Sequence, residues 1–141
     1  MSHPDYPDVS IIAFRGKTPV IHPSAFIAPG CRIIGDVEIG ADASIWYNCV
    51  IRADVNRIRI GARTNIQDGT VIHCDSAGER DDGRPLDGWP TIIGDDVLIG
   101  HMAMVHGCVL GDRAFVGLGA IVMSGCTVES DAMLAAGAML T

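Results

Sequence analysis

An aliphatic residue returns every six positions along most of this chain. Isoleucine occupies 21, 27, 33, 39, 45 and 51 without a miss. After a three-residue slip the series resumes at Ile60, Ile66 and Ile72, then at Ile93, Ile99 and Val105, and after a five-residue step at Leu110, Val116, Val122, Val128, Leu134 and Leu140. Counting four residues onward from these positions meets mostly small side chains: Ala25, Cys31, Ala43, Cys49, Thr64, Thr70, Ala103, Ala114 and Ala120, with Val55, Ser76 and Val109 in the same set. Glycine follows the aliphatic residue at 40, 61, 94, 100, 111 and 117, where a tight bend can use its conformational freedom. Six is neither the 3.6-residue period of a helix nor the plain alternation of a hairpin strand. Hexapeptide periods belong to the parallel β-helix. The expected fold is therefore all-β, with three short sides closing a triangular coil of about eighteen residues and each coil pairing with the next.

With 141 residues the chain is expected to form one domain, 1–141. Hydrophobic residues make up 48% but aromatics only 5%, which suits a narrow core of Ile, Val, Leu and Ala. Acidic residues outnumber basic ones 17 to 10, so nucleic acid and anionic membrane are poor partners. No apolar stretch reaches the ~18 residues of a membrane span, and the N-terminus lacks a basic start followed by an apolar run, so a soluble, cytoplasmic protein is expected. Five cysteines form an odd set without a CxxC pair. Cys31, Cys49 and Cys126 fall on small interior positions, as buried free cysteines commonly do.

The period breaks once at length. Residues 74–90 are rich in Gly, Pro and Asp and read as an extruded loop. If that loop adds about fifteen residues to an eighteen-residue coil, Ile72 and Val105 stack on one face, and His73 and His106 become neighbours ~4.8 Å apart. His101 lies on the preceding side of the same coil and leaves a different face. Two copies around a threefold axis could then join His73 and His106 of one chain to His101 of the next. Three neutral imidazoles with an open fourth position is the ligand set of a catalytic zinc. The alternative for each histidine is a plain surface or interface residue, which is how His3 and His22 are read.

The segments Asn65-Ile66-Gln67-Asp68-Gly69-Thr70-Val71-Ile72-His73 and Ile99-Gly100-His101-Met102-Ala103-Met104-Val105-His106-Gly107 resemble those of the gamma-class carbonic anhydrases and their relatives in the phenylacetate-degradation and ferripyochelin-binding-protein-like branches. The resemblance runs from about residue 11 onward. It implies a left-handed parallel β-helix and a homotrimer with metal sites between subunits. It also implies zinc, with iron as a variant, held by His73, His101 and His106. Arg52 and Asp54 match an intersubunit ion pair beside the metal, and Gln67 matches the residue that positions the bound water or bicarbonate, with Asn65 and Asp68 nearby. Trp46 and Tyr47 are expected at the subunit contact. Cys74, whose side chain should point opposite to that of His73, and Cys108 are expected to face the coil rather than the metal.

The resemblance implies reversible hydration of carbon dioxide by a hydroxide on zinc. Two glutamates that handle protons in the founding member correspond to Val55 and to a position near Ser76, neither of which carries a proton. Weak activity is the expectation, with Glu79, Asp81, Asp82 and Asp87 of the loop as substitutes. Relatives also continue into a C-terminal helix, which is expected to be absent here. Three other functions remain open at this point: a zinc-dependent thioester hydrolase, a hexapeptide acyltransferase with a histidine as general base, and a non-catalytic trimeric scaffold or metal carrier. Fold alone does not choose among them.

Overall fold

The computed structural model describes residues 2–3, 5–83 and 85–141, with the side chains of Ser2, His3 and Pro85 outside the description. The surface reading of His3 therefore lies outside it. Every regular element among the described residues is a strand, and the strands stack as a solenoid of about seven turns.

Three faces result, each a parallel ladder running from coil to coil. The first carries Tyr6–Ile12, the front of Arg32–Ile39 and of Val50–Ile60, then Val71–His73, Met104–His106, Ile121–Val122 and Met139–Leu140. The second carries Val20–Ile21, the ends of those two long strands, and then Thr91–Ile93, Val109–Leu110 and Thr127–Val128. The third runs through Phe26–Ile27, Ser44–Ile45, Asn65–Ile66, Leu98–Ile99, Phe115–Val116 and Met133–Leu134. On the first face Ile33 pairs with Ile51, Ile51 with Ile72, Ile72 with Val105, Val105 with Val122 and Val122 with Leu140. The 33-residue step from Ile72 to Val105 is thus one coil plus an extruded loop, as the period arithmetic predicts.

The core follows from strand alternation. Each aliphatic residue points inward, and so does the residue two positions before it, because side chains i and i+2 share a face. Val37 and Ile39, Cys49 and Ile51, Ala103 and Val105, and Ala120 and Val122 are all buried. This backward count corrects three expectations. The five-residue step before Leu110 brings Cys108 inside and leaves Val109 42% exposed. Ile58, two before Ile60, is fully buried, while Val55 lies in the bulged middle of Val50–Ile60 and is 38% exposed. Thr91, two before Ile93, takes the interior place, and Ser76 is exposed in the loop.

Three threonines in the core are compatible with it because each hydroxyl is satisfied. Thr64 Oγ1 donates to the Gly94 carbonyl at 2.7 Å and accepts from Val97 N at 3.1 Å. Thr70 does the same with Gly100 O and Ala103 N. Among the described residues no buried side-chain nitrogen or oxygen lacks a partner.

One corner of the prism is held in the left-handed backbone region by Asp42, Arg63, Asp96, Arg113 and Asp131, with φ between 56° and 62°. The charges alternate along the axis. Arg63 forks onto Asp96 at 2.7 and 2.9 Å, and Arg113 onto Asp131 at 2.6 and 2.9 Å. A slip of one coil would set like charges opposite each other, so the corner favours the observed stacking.

The loop leaves the prism through a closed neck. Asp75 N donates to Trp89 O at 2.8 Å, and the Asn56 side-chain amide donates to both Asp75 O and Asp87 O, at 3.0 and 2.9 Å. Its tip is a small antiparallel pair, Gly78–Glu79 with Pro85–Leu86.

Candidate metal centre

The residues singled out from the sequence gather into two groups, on different faces. The first is built on the ends of Val71–His73 and Met104–His106. These strands pair in register, so His73 lies opposite His106 with ring centroids 5.1 Å apart. His73 Nδ1 is 3.1 Å from His106 Nε2, His73 Nε2 is 2.9 Å from Asp54 Oδ1, and His106 Nδ1 is 2.9 Å from Ser124 Oγ. Arg52 completes the row by donating to the other oxygen of Asp54 at 2.5 Å. In the single chain this pair, expected across subunits, forms between near neighbours on one strand.

Electrostatics favour an ionised Asp54 and a neutral His106. Partial burial works against the charge of Asp54, but hydrogen bonds from His73 and Arg52 outweigh it and hold the carboxyl below its ordinary value. Burial, and then the neighbouring His73, hold His106 below the usual imidazole value against the opposing pull of Asp75. A neutral ring is the form that can ligate.

The second group surrounds a cavity of about 260 Å³ lined by Trp46, Asn65, Gln67, Asp68 and His101. His101 stands at the corner after Leu98–Ile99, exposed, with Nδ1 3.0 Å from Asp68 Oδ2. Asn65 Nδ2 donates to Ser44 Oγ at 2.7 Å. Trp46 packs tilted against Phe26 and Tyr47, with centroids 5.3 and 6.3 Å away.

Within one chain, then, His73, His106, Asp54 and Arg52 come together, and His101, Asn65, Gln67 and Asp68 come together, but the two groups do not meet. Among the described residues no three His, Cys, Asp or Glu side chains converge as a metal-holding group. The inner pair nevertheless fits part of one. Two nitrogen ligands at ~2.0–2.1 Å from a tetrahedral zinc stand ~3.3 Å apart, close to the 3.1 Å between His73 Nδ1 and His106 Nε2. The cysteines do not join in. Cys74 and Cys108 are buried, and burial pushes the Cys74 thiol up and the Cys108 thiol up to about 12.

Three residues around this group escaped the sequence reading. Ser124 lies one coil beyond His106, so the period was a signal that could have found it. Thr91 is fully buried; its hydroxyl donates to the His73 carbonyl and accepts from Gly107 N at 2.9 Å. Asn56 clamps the loop neck beside them, and only side-chain reach across coils reveals these last two.

Known proteins share this architecture. Residues 18–53 match the family described as "Bacterial transferase hexapeptide (six repeats)", and residues 90–117 and 107–141 match "Hexapeptide repeat of succinyl-transferase". Gamma carbonic anhydrase 2, mitochondrial, of Arabidopsis thaliana is 48% identical over 124 residues, which cover 88% of this chain and 43% of that protein. Carnitine operon protein CaiE of Escherichia coli is 38% identical over 130 residues, 91% of this chain and 60% of the relative. The chain spans about half the length of these curated relatives. A hexapeptide transferase family protein from Anaplasma phagocytophilum superposes with a TM-score of 0.83 at 45% identity, covering 94% of this chain and 71% of that one. Repeat, register and these identities together place the chain in the hexapeptide-repeat transferase family, with gamma carbonic anhydrases among its relatives.

Proposed function

We propose that this chain is a gamma carbonic anhydrase-like enzyme that catalyses the reversible hydration of carbon dioxide at a metal site assembled between subunits of a homotrimer. The observation that carries the reading is the separation of the two groups: a paired His73 and His106 on one face, and a lone His101 with Asn65, Gln67 and Asp68 on another. Each is half of a site. The surfaces beside them are apolar enough to pack together. On the first face Val50, Val71, Met104, Ile121 and Met139 form an outward column, with Met139 61% exposed, and beside His101 stands Met102, 72% exposed.

In the assembled site His73 and His106 would hold zinc, or iron as a variant, together with His101 of the partner subunit. When bound, such an ion supplies Lewis acidity that makes water a nucleophile near neutral pH. Asp54, itself held by Arg52, accepts from His73 and fixes that ring. Asp68 does the same for His101. The Gln67 amide, with both a donor and an acceptor, orients water or bicarbonate from the second half-site. Proton departure is the slow part, because neither Val55 nor Ser76 exchanges a proton near neutral pH, and the loop carboxylates Glu79, Asp81, Asp82 and Asp87 are the substitutes proposed to carry it.

The transferase relatives favour one second reading, acyl transfer with a histidine as general base and no metal. Elemental analysis of the purified protein, combined with a stopped-flow hydration assay, separates the two. Stoichiometric metal and metal-dependent hydration are expected. A trimer that carries no metal after expression in zinc-supplemented medium, and does not hydrate carbon dioxide when zinc is added, would overturn the proposal.

A further inference from the structure

Ser124 sits in the turn after Ile121–Val122, with its hydroxyl 2.9 Å from His106 Nδ1. The chain makes room for that contact. Gly107, at φ +56°, carries no side chain, and a Cβ there would meet Ser124 Oγ at 2.8 Å and Trp89 Cβ at 2.9 Å. Gly125 N donates to Gly107 O at 2.9 Å, tying the two turns together.

The row of contacts constrains where protons sit. Asp54 as carboxylate is an acceptor only, so a neutral His73 carries its proton on Nε2 and turns a bare Nδ1 toward His106 Nε2, 3.1 Å away. His106 then has two neutral forms. With its proton on Nε2 it donates to His73, and the Ser124 hydroxyl donates to Nδ1. With its proton on Nδ1 it donates to Ser124 Oγ, and two lone pairs face each other across 3.1 Å, an arrangement that is stable only with a cation between them. A hydroxyl serves both forms because it can donate or accept.

We infer that Ser124 is a positioning residue for His106: it accepts the Nδ1 proton when His106 turns its Nε2 lone pair to a metal, and so fixes the ring and tautomer of that ligand. The inference rests on the metal reading of the previous section and adds to it a residue outside the three-histidine set.

The test uses the zinc ion alone as probe. Zinc affinity is measured by chelator competition for the wild type, Ser124→Ala and Ser124→Thr, and the His106 Nδ1 proton is followed by 15N-histidine NMR of the zinc-loaded proteins. Removing such an outer partner costs 10–100-fold in metal affinity in other sites, so Ser124→Ala should bind zinc ~10–100-fold more weakly. Its Nδ1 proton should exchange fast with water, and Ser124→Thr should restore both properties. Wild-type zinc binding with unchanged affinity and an unchanged Nδ1 proton in Ser124→Ala would overturn the inference while leaving the metal site standing. A wild type that binds no zinc would overturn both.

Discussion

His73 Nδ1 and His106 Nε2 lie 3.1 Å apart although 33 residues separate them along the chain, because a coil and its extruded loop together return the strand to the same register. Each ring is held on its far side by a different coil, His73 by Asp54 and His106 by Ser124. A pair so built can complete a metal site only with a donor from elsewhere.

The first prediction concerns that missing donor. His73→Ala, His106→Ala and His101→Ala should each lose stoichiometric zinc, whereas Cys74→Ser and Cys108→Ser should retain it. Co-expressing His101→Ala with the His73→Ala/His106→Ala double variant should recover part of the zinc, because mixed trimers contain an interface with both halves intact. Elemental analysis of the purified mixed trimers checks this; recovery of none would show that the site does not lie between subunits.

A second prediction follows from Val55, exposed on the strand directly after Asp54. Acid–base assistance is worth ~10²–10⁴-fold, so without it hydration should be slow and should rise with the concentration of a proton-carrying buffer. Val55→Glu should flatten that dependence in stopped-flow assays. A fast, buffer-independent rate in the unmodified protein would mean that another group already carries the proton.

Thr91 supplies a third. Its buried hydroxyl links the end of the loop to His73 and Gly107. Thr91→Val has the same shape but removes the hydroxyl that bridges the His73 carbonyl and the Gly107 N–H, leaving that N–H only its longer bond to His73 O at 3.2 Å, a loss of about 0.5–1.5 kcal/mol. The midpoint of chemical denaturation should fall accordingly, and Thr91→Ser should largely recover it. Equal midpoints for Val and Thr would remove the hydroxyl from the account.

The charged corner gives a pH dependence with a defined sign. Hydrogen bonds from Arg63 and Arg113 hold the Asp96 and Asp131 carboxyls below their ordinary value. Carboxyls depressed in the folded state stabilise it above the unfolded value of ~3.9, and that contribution is lost as pH falls through the lower folded values. Melting temperature should therefore drop in acid, and less steeply in an Asp96→Asn/Asp131→Asn variant. Because both pairs are exposed, molar salt should shrink the difference, since the screening length is then ~3 Å. Superimposable acid profiles for the two proteins would show that the ladder adds nothing.

The sequence alone determined the solenoid and the meeting of His73 with His106. In a parallel stack, distance along the chain converts to position by simple counting, and the aliphatic phase declares the count. The same counting misplaced Val55, Ser76 and Val109, because interior pairing runs two residues back from each aliphatic position and irregular steps shift the forward count. Only the tertiary structure decided what surrounds the pair. Ser124, Thr91 and Asn56 reach it through side chains that cross from one coil to another, and His101 is kept apart from it by the corner between two faces. Such relationships depend on rotamers and on where a loop rejoins the prism, and neither leaves a period in the chain.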